Sequence, residues 1–154
     1  MKKAFTMIEL IFVIVILGIL AAIAIPKLAA TRDDAVIAKM EANSRGLLGD
    51  FQMYFMAQGH GSWVDKTMER VTNLSLDTSC GNAVNSSTQI SPNTFVFCHD
   101  NVVCLTFITT DENNLTITDG TVISDMICEK VKDLPSIKAI SNKSYKLGGS
   151  SVVH

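Results

Sequence analysis

Apolar and polar positions follow three different patterns along the 154-residue chain. From Phe5 to Ile25 the chain is apolar at 18 of 21 positions, interrupted only by Thr6, Glu9 and Gly18. As a helix rising about 1.5 Å per residue, this run is roughly 31 Å long, enough to cross a bilayer core. From Arg32 to Met56 the pattern becomes helical. Val36, Met40, Leu47, Phe51, Tyr54 and Phe55 form an apolar stripe, opposite Arg32, Asp33, Lys39, Glu41, Arg45 and Asp50. This predicts an amphipathic continuation of the first helix, lying on a globular domain and ending near Gln58-Gly59-His60-Gly61. Gly46 and Gly49 are its weak points. Ser62 with Asp65 offers a capping start for a short helix to about Val71, with Trp63 as a packing residue.

The third pattern is β. Thr94–Cys98 and Val102–Ile108 are β-branched and aromatic runs, separated by a predicted three-residue turn at His99-Asp100-Asn101. Asp111-Glu112-Asn113-Asn114 predicts the next turn and Leu115–Thr118 the next strand. Asp119-Gly120 reads as a tight turn into a strand at Thr121-Val122-Ile123. A short helix is expected from Asp125 to Asp133, and a final edge strand at Ser151-Val152-Val153. Residues 76–92 are rich in Asn, Ser, Thr and Gly and read as a long loop, either a functional surface or a solvated connection. A long helix followed by an antiparallel meander is an α+β architecture.

Composition sharpens this division. Apolar residues make up 47% of the chain, yet only about 41% once residues 5–25 are set aside, an ordinary soluble value. The positive mean hydropathy of +0.29 therefore comes from one end. This excludes a disordered chain, and a single long apolar run argues against a multi-pass membrane protein. The net charge of −2, without a Lys/Arg cluster, gives no extensive nucleic-acid surface. Lys2 and Lys3 precede the apolar run and would stay cytoplasmic, so the rest of the chain would be exported. The even number of cysteines, all beyond that run, fits an oxidising compartment.

Three readings of the N-terminal segment compete: a cleaved secretory signal ending near Ala22-Ile23-Ala24, a plain anchor, or an assembly element. Glu9 separates them. A carboxylate within an apolar span costs about 2.5–3.5 kcal/mol on insertion scales, and neither a signal nor a plain anchor gains from it. The opposing view is that Glu9 snorkels to the interface.

The stretch Lys2-Lys3-Ala4-Phe5-Thr6-Met7-Ile8-Glu9-Leu10 resembles the processing site of type IV pilins and type II secretion pseudopilins. With Phe5 as first mature residue, Glu9 is fifth, Gly18 fourteenth and Pro26 twenty-second, matching that family's landmarks. Ala4 departs from the usual Gly before the cut. The resemblance implies cleavage at Ala4–Phe5 by a prepilin peptidase and N-methylation of Phe5. It implies assembly through Glu9, which would pair with the Phe5 amine of a neighbouring subunit, and through Gly18 and Pro26. It further implies a structural rather than enzymatic role, with other copies and other pilin subunits, the membrane and an inner-membrane assembly platform as partners. The chain would span the inner membrane once, its C-terminal domain outside the cytoplasm, and then enter a periplasmic or extracellular filament. The segments implied are a leader at 1–4, a membrane and filament-core helix at 5–26, its amphipathic continuation at 27–57 and a globular domain at 58–154. The reading from another class is a membrane-anchored or secreted binding module.

Cys80, Cys98, Cys104 and Cys128 allow three pairings. A three-residue turn sets Cys98 opposite Val102 and Cys104 opposite Val96, making the two thiols diagonal neighbours with poor bridging geometry. Cys80–Cys98 with Cys104–Cys128 is favoured; a longer turn would restore Cys98–Cys104. A metal site from these thiols and His99 is disfavoured, because spacings of 18, 6 and 24 match no zinc motif. No cofactor is expected. Calcium is a secondary candidate, since some pseudopilins bind it in a loop. Asp111, Asp119 and Asp125 would be its ligands here, although turn chemistry accounts for the same residues. No nucleophile elbow, phosphate loop, zinc-protease motif or dinucleotide fingerprint is present, and the chain is read as a non-enzyme.

Overall fold

The computed structural model describes residues 6–59, 63, 66–85, 87–110, 113–120 and 125–147. One helix, α1, runs from Met7 to Gln58 with Pro26 inside it. The chain divides into two compact units between Val36 and Ile37.

In the first unit every described residue up to Ala35 is exposed. The large apolar side chains from Met7 to Leu28 are 42–78% exposed. A helix is the form in which such a run satisfies its own backbone polar groups. Its mean hydropathy reaches 3.1 over an 18-residue window. Pro26 has no N–H to give the carbonyl of Ala22, which weakens the helix there. The Thr31 hydroxyl folds back onto the Lys27 carbonyl at 2.9 Å.

In the second unit α1 buries Ile37, Met40, Ser44, Leu47, Phe51 and Phe55, at spacings of three and four. The stripe is thus rotated slightly from the expected one: Val36 and Tyr54 are only half-buried, and Ile37 and Ser44 take the core positions. Ser44 is tolerated there because its hydroxyl donates to the Met40 carbonyl at 2.7 Å. The helix stops where Gly59 adopts φ 75° and its N–H bonds the Phe55 carbonyl.

The sheet has six antiparallel strands in the order β2-β1-β3-β4-β5-β6. These are β1 (Asp77–Ser79), β2 (Asn82–Ala83), β3 (Asn93–His99), β4 (Val102–Thr109), β5 (Asn114–Asp119) and β6 (Lys143–Lys146). Between β5 and β6 come α2 (Met126–Asp133) and α3 (Pro135–Ile140). The core gathers Phe51, Trp63, Phe95, Phe107, Leu115 and Ile117, all fully buried. Trp63 meets Phe51 edge-on at 5.4 Å and Phe55 at 5.7 Å, and its indole N–H donates to the Thr110 carbonyl.

The α+β architecture and the meander agree with the sequence reading; several details do not. The β3–β4 turn has two residues, Asp100 and Asn101, with φ 46° and 64°, as a type I′ turn requires. His99 pairs with Val102 and Cys98 with Val103, while Val96 faces Thr106, not Cys104. The register shifts between Phe97 and Cys98, which leaves Cys104 as an extra, unpaired β4 residue. That bulge explains how Cys104 and Leu105, adjacent in sequence, are both fully buried.

Asp119-Gly120 is not the expected tight turn. Asp119 lies within β5, and Gly120 does not have positive φ. A Cβ at Gly120 would instead overlap the Val103 carbonyl oxygen, and the Gly120 N–H donates to the Cys104 carbonyl at 2.9 Å. The residue is needed for close approach. The loop at 76–92 contains the short strands β1 and β2, and the 3-10 turn Met68–Arg70 lies in the stretch expected to be helical. The strands expected at Thr121–Ile123 and Ser151–Val153 lie outside the described residues.

Candidate functional site at the amino-terminal helix end

Thr6 and Glu9 close the start of α1 on each other. The Thr6 backbone N–H donates to Glu9 Oε2 at 2.8 Å, and the Thr6 hydroxyl donates to the same oxygen at 2.7 Å. The Glu9 N–H approaches the Thr6 hydroxyl oxygen at 3.3 Å. This is a reciprocal capping box, and it satisfies helix-end donors that have no partner within the helix. The negative carboxylate also sits at the favourable end of the helix dipole. Both bonds fall on Oε2; among the described residues Oε1 receives no donor. The Thr-x-x-Glu spacing was the available signal for this pairing, which the sequence reading passed over.

Glu9 is the acid in a shallow dip lined by Ile8, Phe12 and Val13. Gly18 lies further along the same exposed helix, and a Cβ there would meet no atom within 4 Å. Nothing among the described residues therefore demands glycine at 18. Ala4 and Phe5, the expected cleavage pair, lie outside the described residues.

The other candidates lie in the second unit. Cys80 is bonded to Cys98 and Cys104 to Cys128, with Cα separations of 5.7 and 4.7 Å. These are the two pairs that the sequence favours, although the register behind that preference differs. The bulge turns Cys104 away from Cys98's partner row and toward α2. All four thiols are thereby taken up as disulfides.

The three aspartates named for calcium have separate settings. Asp111 lies outside the described residues. Asp119 Oδ2 accepts from the Asn142 side-chain amide at 2.7 Å. Asp125 caps α2, its Oδ1 accepting from the N–H groups of Ile127 and Cys128 at 2.8 and 2.9 Å. Its Oδ2 meets His99 Nδ1 at 2.8 Å, a contact that sequence reasoning missed. Burial pushes the Asp125 carboxyl up, but bonds from the Cys128 N–H, His99 and the Ile127 N–H, with the His99 charge, outweigh it. The net result holds Asp125 below the usual aspartate value.

Residues 1–25 match the family described as the prokaryotic N-terminal methylation motif. The chain therefore carries the signature of type IV pilins and pseudopilins at its amino terminus. No curated protein and no solved structure matches the chain. The motif ends at residue 25, before the second unit begins at Ile37.

Proposed function

We propose that this chain is a structural subunit of a helical filament, either a type IV pilus or a type II secretion pseudopilus. The observation that carries the reading is the methylation motif over residues 1–25. A prepilin peptidase would cut between Ala4 and Phe5 and methylate the new amine. Loss of Lys2 and Lys3 takes the balance to 11 basic and 15 acidic side chains, or −4. The mature chain would wait in the inner membrane with its second unit outside the cytoplasm, then pass into the filament through the assembly platform. There the exposed apolar face of α1 would be covered by the same helix of other copies and of related subunits. Glu9 would exchange or share its Thr6 donors with the Phe5 amine of a neighbour. Pairing offsets the cost of two charges in a dry filament interior and can fix the register of packing. The subunit would be a substrate of the peptidase and not itself an enzyme. Protein secretion, adhesion, motility and DNA uptake are the mechanical tasks such filaments perform.

N-terminal sequencing and intact mass of the mature protein from its native host test this reading. A chain beginning at N-methyl-Phe5 supports it. An intact Met1, or a start beyond Ala24, replaces it with an anchored or secreted binding module.

A further inference from the structure

The filament role leaves one group of side chains unused. His99 Nδ1 lies 2.8 Å from Asp125 Oδ2 and 3.9 Å from Asp100 Oδ2. One ligand atom from each of the three residues lies within 4.8 Å of the other two. The donors are mixed, one nitrogen and two oxygens, and come from two separate stretches of chain. Each stretch is held independently. The β3–β4 turn is fixed by the positive φ of Asp100 and Asn101, and Cys98, next to His99, is bonded to Cys80. The start of α2 is tied to β4 through Cys128 and Cys104. Asp125 Oδ1 is occupied by two backbone N–H groups, which orients the carboxylate and leaves Oδ2 facing the imidazole. The His99 side chain is 23% exposed and that of Asp100 85%, so an ion and its remaining waters have access.

We propose that His99, Asp100 and Asp125 form a surface site for a divalent transition-metal ion of the Zn2+ type, bracing the β3–β4 turn against the N-terminus of α2. Two carboxylates and a neutral imidazole carry a formal charge of −2, matching such an ion. Imidazole nitrogen favours borderline metals, whereas Ca2+ takes oxygen. Around a tetrahedral ion with bonds of about 2.1 Å, ligand atoms lie about 3.4 Å apart. The separations of 2.8 and 3.9 Å from His99 bracket that value, and the exposed Asp100 side chain is free to adjust. On binding, the imidazole presents Nδ1 to the metal and carries its proton on Nε2, while water completes the coordination. This site does not depend on the filament reading.

The test is titration of the full chain in detergent micelles with ZnCl2, followed by calorimetry and thermal unfolding. One saturable equivalent is expected, with Tm raised by about 3–6 °C at ten times Kd. His99→Gln and Asp100→Asn leave the cap bonds of Asp125 in place, and each should weaken binding at least tenfold. A His60→Gln/His154→Gln double variant should bind as the parent does. No saturable binding up to millimolar Zn2+, or binding unchanged in His99→Gln, overturns the site and leaves an ion pair only. Equal binding of Ca2+ overturns the assignment to a transition metal.

Discussion

Thr6 and Glu9 satisfy each other across one helical turn, hydroxyl to carboxylate at 2.7 Å, on a helix end that is otherwise apolar and exposed. The isolated subunit thus has an internal partner for the acid that the filament would use. Two roles for Glu9, helix cap and intermolecular charge, can be separated by substitution. Glu9→Gln keeps an acceptor for the Thr6 N–H and removes the charge; Glu9→Ala removes both. Both variants should be processed and inserted normally and enter filaments poorly, as judged by the sheared filament fraction against total cell content. Normal incorporation of Glu9→Gln would reduce Glu9 to a cap.

Phe51 is fully buried and packs on Trp63 and Phe95 with ring centroids 5.4 and 6.1 Å away. Phe51→Ala removes the centre of this cluster. A loss of about 3–5 kcal/mol is expected, seen as a lower urea midpoint for the second unit at unchanged slope. A change under 1 kcal/mol would mean that the cluster is not the core of that unit.

Glycines should respond with opposite signs. At Gly120 an added methyl meets the Val103 backbone carbonyl, which cannot give way as a side chain can. Gly120→Ala should cost at least about 2 kcal/mol and disturb the bulge at Cys104. At Gly46, within α1 and with no atom within 4 Å of an added Cβ, alanine should stabilise by about 0.5–1 kcal/mol. Thermal unfolding of the two variants side by side checks both signs; a destabilised Gly46→Ala would contradict the open space there.

Asp125 gives a pH dependence of defined direction. Its folded pKa is depressed below its unfolded value, so its contribution is complete above about pH 5. The contribution is lost as pH falls past the unfolded value of about 3.9 and through the lower folded one. Asp125→Asn keeps a capping oxygen but cannot ionise. The stability gap between parent and variant should therefore be present at pH 6 and close on acidification below about pH 4. A gap that is constant across pH 3–6 would show that the carboxylate charge is not what stabilises the cap.

The sequence carried some of this architecture openly and hid the rest for identifiable reasons. The run from Phe5 to Ile25 was legible because eighteen apolar side chains leave a helix little alternative. The strands β3, β4 and β5 were legible because Phe95, Phe97, Phe107 and Ile117 recur among β-branched neighbours. The last strand, β6, was not. Lys143-Ser144-Tyr145-Lys146 has no buried member, as suits a charged sheet edge, and so shows no alternation. Gly120 misled because a glycine after an aspartate looks the same whether positive φ or close approach requires it. Ser44 misled because its hydroxyl is satisfied within its own helix, which no polarity scale records. At the helix start, Glu9 was visible as an anomaly of charge, whereas its bond to Thr6 needed the backbone geometry of a first turn.

The two disulfides close loops that neither overlap nor nest: one spans Cys80 to Cys98, the other Cys104 to Cys128. The peptide from His99 to Val103 is therefore the only covalent seam between them. A cut inside either loop leaves the chain in one piece under non-reducing conditions. A cut at Asp100-Asn101 leaves two fragments with no covalent link, held together until unfolding by the sheet, the shared core and side-chain contacts such as Trp63 with Thr110 and His99 with Asp125. The exposed two-residue turn is thus where a protease, cutting between the two cross-linked loops, would separate them without breaking a disulfide.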